Sequence, residues 1–426
     1  MIAAEHGHLL VWLIVGVSIA LMLIRPRNIP EVYWISAGVL LLLSLRLVPL
    51  RQAEQAAVKA LDVCLFLVGM MLLSELAREH GIFDWISSVS VRSADGSCTK
   101  LFGLVYIAGA VVTIFMSNDA TAVVLTPAIL TAVRRAKVEP LPYLFACAFI
   151  ANAASFVLPI SNPANLVVFH AHMPTLPHWL LAFTVPSLLS IAATFVILRF
   201  LFRRELCKSI TCETGAVELS ANGKFILLGL AIIVVVLLVA SSFGKDLGLP
   251  TCLAAVIMTA IISVNERTNP SRLAREISWE TLALVAGLFI LVDAVEGIGA
   301  ARYTQKWLVW AASLGQWLGT LVTGFAVGIA NNLVNNLPLG LLAGIAVQAT
   351  QPKGLIANAI LIGVDLGPNL SITGSLATIL WLIALRKEKL DVTLWDFLKV
   401  GIFAMPIALL LALCGAILMQ ILFRVI

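Results

Sequence analysis

The sequence predicts an all-α polytopic membrane protein with ten transmembrane helices and two re-entrant hairpins, built from inverted structural repeats with discontinuous helices. Three observations lead to this fold class. Apolar residues make up 61% of the 426 residues and charged residues only 12%, against about 25% charged residues in soluble domains. Polar residues interrupt two of the long apolar segments near their centres. The order of the segments recurs after the midpoint of the chain.

The first half, residues 1–203, is predicted to form an N-terminal repeat. Its apolar runs approach or exceed the roughly 20 residues that cross a bilayer, and the first lacks the basic start and small-residue cleavage site of a removed signal peptide. A Ser-rich stretch, 82–97, contains three charged residues and is predicted to lie along the membrane interface. The predicted spans are 8–25, 33–48, 61–78 and 178–203, with an interrupted segment at 101–133 and a long segment at 142–172.

The second half, residues 224–426, follows a polar linker at 204–223 that is predicted to be cytoplasmic. It repeats the plan of the first half with an amphipathic stretch at 301–313, an interrupted segment at 314–350 and a long segment at 354–386. Residues Asp62–Leu76 align with Glu280–Ala294, which places Gly69 over Gly287. The other predicted spans are 224–243, 248–264, 280–297 and 395–423.

The basic residues predict the topology, because Lys and Arg concentrate in short cytoplasmic loops. Five basic groups lie on one side of the membrane only if each interrupted segment enters and leaves the membrane on the same face. They lie near residues 25–27, 134–137, 203–208, 267–275 and 386–389. The interrupted segments are therefore predicted to be re-entrant hairpins, the first open to the cytoplasm and the second to the outside. Both termini then lie outside. Arg46, Arg51 and Lys59 conflict with this topology, since they fall on the outer side.

The hairpin tips carry the polar residues that point to a binding site. The first tip reads Ser117-Asn118-Asp119-Ala120-Thr121, and the second, Ala330–Asn336, contains Asn331, Asn332, Asn335 and Asn336. A chain that turns back inside a membrane leaves backbone groups unpaired, which is tolerated only against protein or a wet cavity. One helix cap requires fewer amides than the second tip supplies. We therefore predict a substrate site at the two tips.

The long segments carry the other half of each predicted site. Leu158–Asn165 has two prolines four residues apart, and Asp365–Ser375 contains Gly-Pro and a second glycine. Proline removes a backbone donor and breaks a helix. Each segment is therefore predicted to be a broken helix whose free carbonyl and amide groups face a hairpin tip.

Asp119 and Asp365 are the predicted carriers of a coupling proton, with Asp119 first. Asp119 is the one acid within the tips, and an acid at membrane depth is a functional candidate by default. Burial disfavours its charged form while the adjacent helix N-terminus favours it, so the group is suited to taking up and releasing a proton. The alternative is a structural acid at a helix N-terminus.

Other function classes lack support in the sequence. The seven cysteines show neither a disulfide framework nor metal-ligand spacing, so no metal site is predicted. The net charge of +5 lies in loops, where topology explains it, and nucleic-acid binding is not predicted. A phosphate-binding loop of the Gly-x4-Gly-Lys type is absent, so the chain is not predicted to hydrolyse ATP by that route or to be an enzyme.

With these motifs in hand, the chain resembles arsenite efflux permeases, the membrane components of bacterial arsenical pumps within the ion-transporter superfamily. The resemblance covers nearly the whole length and is carried by SNDATAVVLTP (Ser117–Pro127), SNPANL (Ser161–Leu166), NNLVNNLPLG (Asn331–Gly340) and DLGPNLSITGSLATILW (Asp365–Trp381). The first tip is also similar to the SNT signature of sodium-coupled carboxylate carriers, with Asp119 in place of threonine. This difference favours a proton over sodium.

The resemblance implies a secondary transporter in the bacterial inner membrane that exports arsenite and antimonite in exchange for protons by an elevator-like movement. It implies no cofactor, a lipid bilayer as environment, and an optional partner, a separate soluble arsenite-stimulated ATPase. Together with the tip motifs it implies a site formed by the residues Asn118, Asp119, Thr121, Asn162, Asn165, Asn331, Asn332, Asn335, Asn369 and Thr373.

Arsenite also suits these side chains on chemical grounds, because it is an uncharged trihydroxide that needs hydrogen-bond donors and acceptors but no countercharge. The four polar interruptions contain no Lys or Arg and no cysteine. Transport is therefore predicted to be independent of thiols. Carriers of silicate, carboxylates or Na+/H+ with the same fold remain alternatives, and a passive channel or a membrane enzyme belongs to a different class.

Overall fold

The structure is a computed structural model and describes residues 2–169, 173–207, 210, 218–269, 271–350, 354–390 and 392–423. Its regular elements are all helical within these ranges, and the predicted all-α membrane fold is confirmed. The end of the predicted segment 142–172 and much of the predicted linker 204–223 lie outside the described residues, at 170–172, 208–209 and 211–217.

The first half contains two long helices, a short amphipathic helix, a third long helix, a second amphipathic helix, a hairpin, a broken helix and a final long helix. Their bounds are α1 Ile2–Ile24, α2 Glu31–Ser44, α3 Leu50–Lys59, α4 Leu61–Glu79, α5 Ile82–Ser93, α6 Cys98–Phe115, α7 Asn118–Ala120, α8 Thr126–Arg135, α9 Leu141–Ala153, α10 Pro163–Val168, α11 Leu176–Leu201 and the short α12 Arg203–Leu206.

The second half follows the same order, with a six-residue helix, α15, at the place of α3 before the third span. Its helices are α13 Ala221–Ser242, α14 Gly248–Glu266, α15 Ser271–Glu276, α16 Trp279–Gly297, α17 Ala300–Ser313, α18 Gln316–Val334, α19 Asn336–Thr350, α20 Gly354–Leu366, α21 Leu376–Lys387 and α22 Leu394–Phe423. Most of these bounds lie within a few residues of the predicted segments.

Seven of the described helices are long and apolar enough to cross a membrane by themselves, and nine spans result if each of two bent helix pairs counts as one. The bent pairs are α3 with α4, at 44°, and α16 with Arg302–Ser313 of α17, at 81°. Four shorter apolar helices are α2, the starts of the two broken helices (α9 and α20) and α19 of the second hairpin. The figure of ten crossings stays a prediction.

The first hairpin reverses at Met116 and Ser117, between α6 and α7. The Ser117 hydroxyl caps the second limb by accepting a hydrogen bond from the Ala120 amide at 3.1 Å. A π-helical turn, Thr121–Leu125, then widens this limb before α8 begins, a distortion that is frequent at functional sites. Thr121 is fixed by its hydroxyl, which lies 2.8 Å from that of Thr113. Ser117, and not Asn118, is therefore the helix cap.

Both long segments are broken helices. The first unwinds after Ala153 and becomes α-helical again at Pro163, and the second unwinds after Leu366 and becomes α-helical again at Leu376. Side chains satisfy part of the freed backbone: the Asn165 amide donates to the carbonyls of Ser155, Leu158 and Pro159, and the Thr378 hydroxyl donates to Ile372 O. Backbone groups that a helix would have paired are thus satisfied within the protein.

Helices α4 and α16 pack in a reciprocal manner against the opposite half of the chain. Helix α4 lies on α14, where a Cβ at Gly69 would come within 2.7 Å of the Thr251 backbone. Helix α16 lies on α2, where a Cβ at Gly287 would come within 2.6 Å of Ile35. Glycine permits such close helix approach in membranes. The third span of each half therefore packs against the second span of the other half.

Helix α3 contains two of the three basic residues that conflicted with the topology, Arg51 and Lys59. The sequence did not lead us to predict this helix, whose apolar and polar residues lie on opposite faces, as in helices that lie along a membrane interface. Lys59 at its end forms a 2.8 Å ion pair with Asp293 of α16, and Gln52 donates to the other carboxylate oxygen of Asp293 at 2.8 Å. Arg51 and Lys59 thus belong to an amphipathic helix and not to an extended loop.

Candidate functional site

A cavity of about 190 Å³ separates the first hairpin from helices α4 and α16. One wall is formed by α4 together with α15 and the start of α16, and the other by the first tip, the start of α10 and helix α21. The lining residues are Leu67, Met70, Met71, Ser74, Glu75, Glu276, Ser278 and Thr281 on the first wall and Ser117, Asp119, Ala120, Val123, Val124, Pro163, Leu376 and Leu380 on the second.

The cavity continues into a space of about 10 Å³ at the point where the two hairpin tips meet. Asn118 and Asp119 of the first tip line it together with Asn336 of the second tip and Asn162 of the first broken helix. Asp119 and Thr281 belong to both spaces. Three side-chain amides and one carboxylate therefore converge at the deep end of one continuous cavity.

The other end of the cavity leads toward the basic face of the protein. A neighbouring space of about 410 Å³ shares Val123, Val124 and Leu380 with it and is also lined by Arg78, Asp84, Lys387 and Glu388. Arg134 at the end of α8 forms a 2.8 Å ion pair with Glu388. This is the face that the distribution of basic residues assigns to the cytoplasm.

Two side chains of the first tip, those of Asn118 and Asp119, have no hydrogen-bond partner for their oxygen atoms among the described residues. Asn118 is 2% exposed, yet its Oδ1 has no hydrogen-bond partner among the described residues. The neighbouring Asp119 carboxylate makes neither a hydrogen bond nor an ion pair with any residue that the structure describes. A buried polar group without a partner costs free energy that a bound ligand can recover. These two side chains are therefore available to a ligand.

The second tip uses most of its amides to hold the second broken helix. The side-chain nitrogens of Asn331, Asn332 and Asn335 donate to the carbonyls of Val364, Gly367 and Thr373 at 2.6, 3.0 and 3.2 Å. The Ser371 hydroxyl donates to Asn332 Oδ1, and the Thr373 hydroxyl donates to the Asn332 carbonyl. Asn336 differs, because its side chain makes no hydrogen bond with the described residues, and its buried Oδ1, like that of Asn331, has no partner there.

Two further hydrogen bonds join the two broken helices. Asn162 Nδ2 donates to Asp365 Oδ1 at 2.8 Å, and Asn152 Nδ2 donates to Asn369 Oδ1 at 2.9 Å. Asp365 is fully buried, and its second oxygen has no partner among the described residues. Asn162 therefore stands between Asp365 and the deep end of the cavity.

The structure brings three of the ten predicted substrate-binding residues together in the cavity: Asn118, Asp119 and Asn162. The other seven, Thr121, Asn165, Asn331, Asn332, Asn335, Asn369 and Thr373, do not line it and are engaged in hydrogen bonds within the protein. Their binding role stays a prediction.

Sequence reasoning missed the cavity residues that come from uninterrupted spans, such as Met70, Ser74 and Thr281. No polar interruption marks α4 or α16, so no signal in the sequence could have found them. Asn336 did carry a signal, because it lies in the same cluster of amides as Asn331 and Asn332. It was left out of the predicted site, since spacing alone cannot separate a bonded amide from a free one.

The charge of the cavity is negative. Its lining contains Glu75, Asp119 and Glu276, and neither Lys nor Arg is among the lining residues of the 190 Å³ space. Glu75 is bonded to Arg78 one turn along α4. No group of three or more His, Cys, Asp or Glu that could hold a metal occurs in the described chain. None of the six described cysteines lines the cavity, and Cys212 lies outside the described residues.

Comparison with known proteins identifies relatives over most of the chain. The family model described as a citrate transporter, CitMHS, matches residues 10–366. Arsenical pump membrane proteins of Escherichia coli and Yersinia enterocolitica are each 27% identical over 347 residues, which cover 79% of this chain and 81% of theirs. The crystal structure of the YdaH transporter from Alcanivorax borkumensis aligns with a TM-score of 0.59 at 17% identity, over 87% of this chain and 86% of that one. At this identity, the alignment shows the fold alone. The resemblance to arsenical pump membrane proteins is confirmed.

Proposed function

The chain belongs to the CitMHS citrate-transporter family, and from this premise we propose that it is a secondary transporter that exports arsenite and antimonite from the cytoplasm in exchange for protons. Its relatives are transporters, and those of Escherichia coli and Yersinia enterocolitica bear the name of arsenical pump membrane proteins. The substrate, the coupling ion and the direction of transport are parts of this proposal.

The observation that carries the proposal is the chemistry of the cavity. Amide and hydroxyl groups line it together with carboxylates, and no Lys or Arg takes part in the lining described above. A neutral trihydroxide requires only hydrogen-bond donors and acceptors. A citrate trianion would meet the carboxylates of Asp119 and Glu276, whereas the charge of Glu75 is compensated by Arg78. Repulsion between like charges is strong in a medium of low dielectric constant. The cavity therefore favours a neutral substrate over citrate.

We assign the hydroxyl groups of the substrate to the deep end of the cavity. Asn118 and Asn336 offer amide donors and acceptors there, and Asp119 offers a carboxylate. Asn162 can offer only the N–H that it does not donate to Asp365, because its Oδ1 accepts from the Ala164 amide. The remaining predicted amides hold the hairpin and broken helices in place around this end. Such support fixes the binding groups before the substrate arrives, which lowers the entropic cost of binding.

Asp119 is the proposed carrier of the exchanged proton. Its carboxylate lacks an internal partner, so either a proton or a hydrogen bond from the substrate can compensate its burial. The proton and the substrate would then compete for the same carboxylate. Binding of one requires release of the other, and this competition couples their transport in opposite directions. Asp365 is the second candidate, and it would act through Asn162 because their side chains are hydrogen bonded at 2.8 Å.

The cavity lies between two walls that suit an elevator-like movement. The wall formed by α4 and α16 belongs to the reciprocally packed spans, whereas the opposite wall belongs to the first hairpin and the broken helices. Sliding of the second wall along the first would carry the bound substrate across the membrane. The described state opens toward the basic face, which we assign to the cytoplasm of a bacterial cell with both termini outside.

Silicic acid is the strongest alternative substrate, since it is also a neutral polyhydroxide and fits the same amides. Carboxylate transport is suggested by the description of the family, and Na+/H+ exchange by the carboxylates in the cavity. A soluble arsenite-stimulated ATPase is a proposed partner. Exchange of arsenite for protons would not depend on this partner.

Uptake by everted membrane vesicles tests the proposal. We expect a proton gradient, acid inside, to drive accumulation of arsenite and antimonite in vesicles that contain the protein, without sodium and without ATP. Vesicles lacking the protein provide the baseline, and citrate and silicic acid are the comparison substrates. Sodium-dependent uptake of citrate, or a failure to accumulate arsenite above the baseline, would contradict the proposed function.

A further inference from the structure

Two methionines face the substrate cavity from α4. Met70 and Met71 line it opposite Asp119 and Ala120 of the first tip. We propose that their thioether sulfurs contact the metalloid atom of the substrate and select trivalent arsenic and antimony over hard neutral polyhydroxides. The inference rests on the proposed function and adds a determinant of specificity to it.

The position of the two methionines gives the cavity two chemically different sides. On the side of the tips, Asn118, Asp119 and Asn336 offer oxygen and nitrogen atoms. On the side of α4, the lining also includes Leu67, one turn before Met70, and Ser74, one turn after it. Residues at this spacing share one face of a helix. A substrate whose hydroxyls point at the tips therefore presents its central atom to the methionines.

Recognition of hydroxyl groups cannot by itself separate arsenite from silicic acid, because both present the same donors and acceptors. Sulfur can make the distinction. A thioether is a soft, polarisable donor, and trivalent arsenic and antimony are softer than silicon. Antimony is the softer and larger of the two metalloids. A contact with sulfur should therefore favour antimonite most, arsenite next and silicic acid least.

Methionine is also a common space filler in apolar cores, and the test must separate that role from contact with the substrate. Leucine has nearly the same volume and lacks the sulfur, so exchange of the two residues largely conserves packing. The variants are Met70→Leu, Met71→Leu and the double substitution. The control is Met258→Leu on α14, where the methionine packs against Gly229 and does not line the cavity.

The first measurement is the concentration dependence of uptake into everted vesicles. In the double variant, we expect the half-saturating concentration of antimonite to rise by about threefold or more and that of arsenite by less, with the maximal rates kept; a threefold change corresponds to about 0.6 kcal/mol. Met258→Leu should leave both values unchanged. Equal changes for the two substrates, or none, would overturn the proposed sulfur contact.

The second measurement is X-ray absorption at the arsenic edge on the purified full-length protein with bound arsenite. The wild type should show sulfur scattering that the double variant lacks and that Met258→Leu keeps. Oxygen scattering alone in the wild type would refute the inference, while arsenite uptake by the same protein would leave the proposed function intact. A wild type that neither binds nor transports arsenite would remove both.

Discussion

The two hairpin tips occupy corresponding places in the two halves of the chain, yet they use their polar residues in opposite ways. At the first tip, Asn118 and Asp119 have no side-chain partner in the described protein and face the cavity. At the second tip, Asn331, Asn332 and Asn335 are bonded to the backbone of the second broken helix. The first tip therefore offers two side chains to a ligand, whereas the second offers Asn336 and uses its other three asparagines to hold the broken helix.

Helix packing also differs between the hairpins, and the second hairpin is again the one held more closely by its neighbours. Helix α18 of the second hairpin lies against α20 through glycines on both helices, where a Cβ at Gly363 would come within 2.7 Å of Gly324 O. In the first hairpin, Gly109 of α6 faces a side-chain atom of Ile150, which can move more easily than backbone. Duplication of a sequence pattern thus does not imply equal division of its tasks.

The sharpest test of this comparison is Asp119→Asn at the first tip. We expect loss of proton-driven arsenite uptake to the level of vesicles without the protein, because an amide cannot carry the exchanged proton. Thermal unfolding in detergent should change little, since the carboxylate has no internal partner. Wild-type transport with an unchanged dependence on the pH difference would show that Asp119 is not the carrier.

The second hairpin should instead respond in its stability. A Cβ at Gly367 would lie 2.5 Å from Gly328 O, so Gly367→Ala must push α18 away from the second broken helix. We expect a loss of about 1–3 kcal/mol in the free energy of unfolding, the usual cost of overpacking. The control is Gly103→Ala in the first hairpin, where the nearest atom would be 4.0 Å away. Similar melting temperatures for the two variants would contradict the packing difference.

Removal of one amide from each tip compares the hairpins directly. Asn332→Ala breaks hydrogen bonds to Gly328 O and Gly367 O and removes the Oδ1 that accepts from the Ser371 hydroxyl. We expect it to destabilise the protein by about 1–2 kcal/mol. Asn118→Ala should reduce arsenite uptake but lower the free energy of unfolding by less than Asn332→Ala does, because no hydrogen bond of the Asn118 side-chain oxygen is lost. Chemical unfolding and vesicle uptake measure the two effects, and a reversed pattern would break the comparison.

The smallest effect is expected at the ion pair between Arg134 of the first hairpin and Glu388 beyond α21. Both side chains are partly exposed, at 44% and 47%, and such pairs contribute about 0–1 kcal/mol. Glu388→Gln should lower the melting temperature slightly at low salt and not at high salt, because salt screens the pair. A large, salt-independent loss would mean that this contact holds the first hairpin more firmly than its exposure suggests.

Hydropathy and helix breakers predicted much of the fold. The first hairpin reverses beside Ser117 and the second at Asn335, within the polar interruptions of the sequence. Helix α3 escaped prediction, since its apolar residues form one face and do not produce a run long enough to span a bilayer. The orientation of its Lys59 toward Asp293 depends on contacts between distant parts of the chain, which no local pattern reveals.

The candidate site was less accessible to sequence reasoning. An asparagine in a polar interruption looks the same whether it donates to a carbonyl, as Asn331 does, or faces a cavity, as Asn336 does. Only the fold decides which carbonyls lie within reach. Met70 and Thr281 lie in ordinary apolar spans, so their place in the cavity follows from packing between helices and leaves no trace in local composition.

The reciprocal packing of α4 on α14 and of α16 on α2 has a consequence for biosynthesis. When the first half leaves the ribosome, Gly69 and Ile35 have no partners, because Thr251 and Gly287 are still to be translated. These early spans must therefore persist in the lipid without these partners until the later helices arrive. Assembly of the central helices is consequently a late event, and a ribosome that stalls near the midpoint would leave an inserted but unassembled polypeptide as a substrate for membrane proteases.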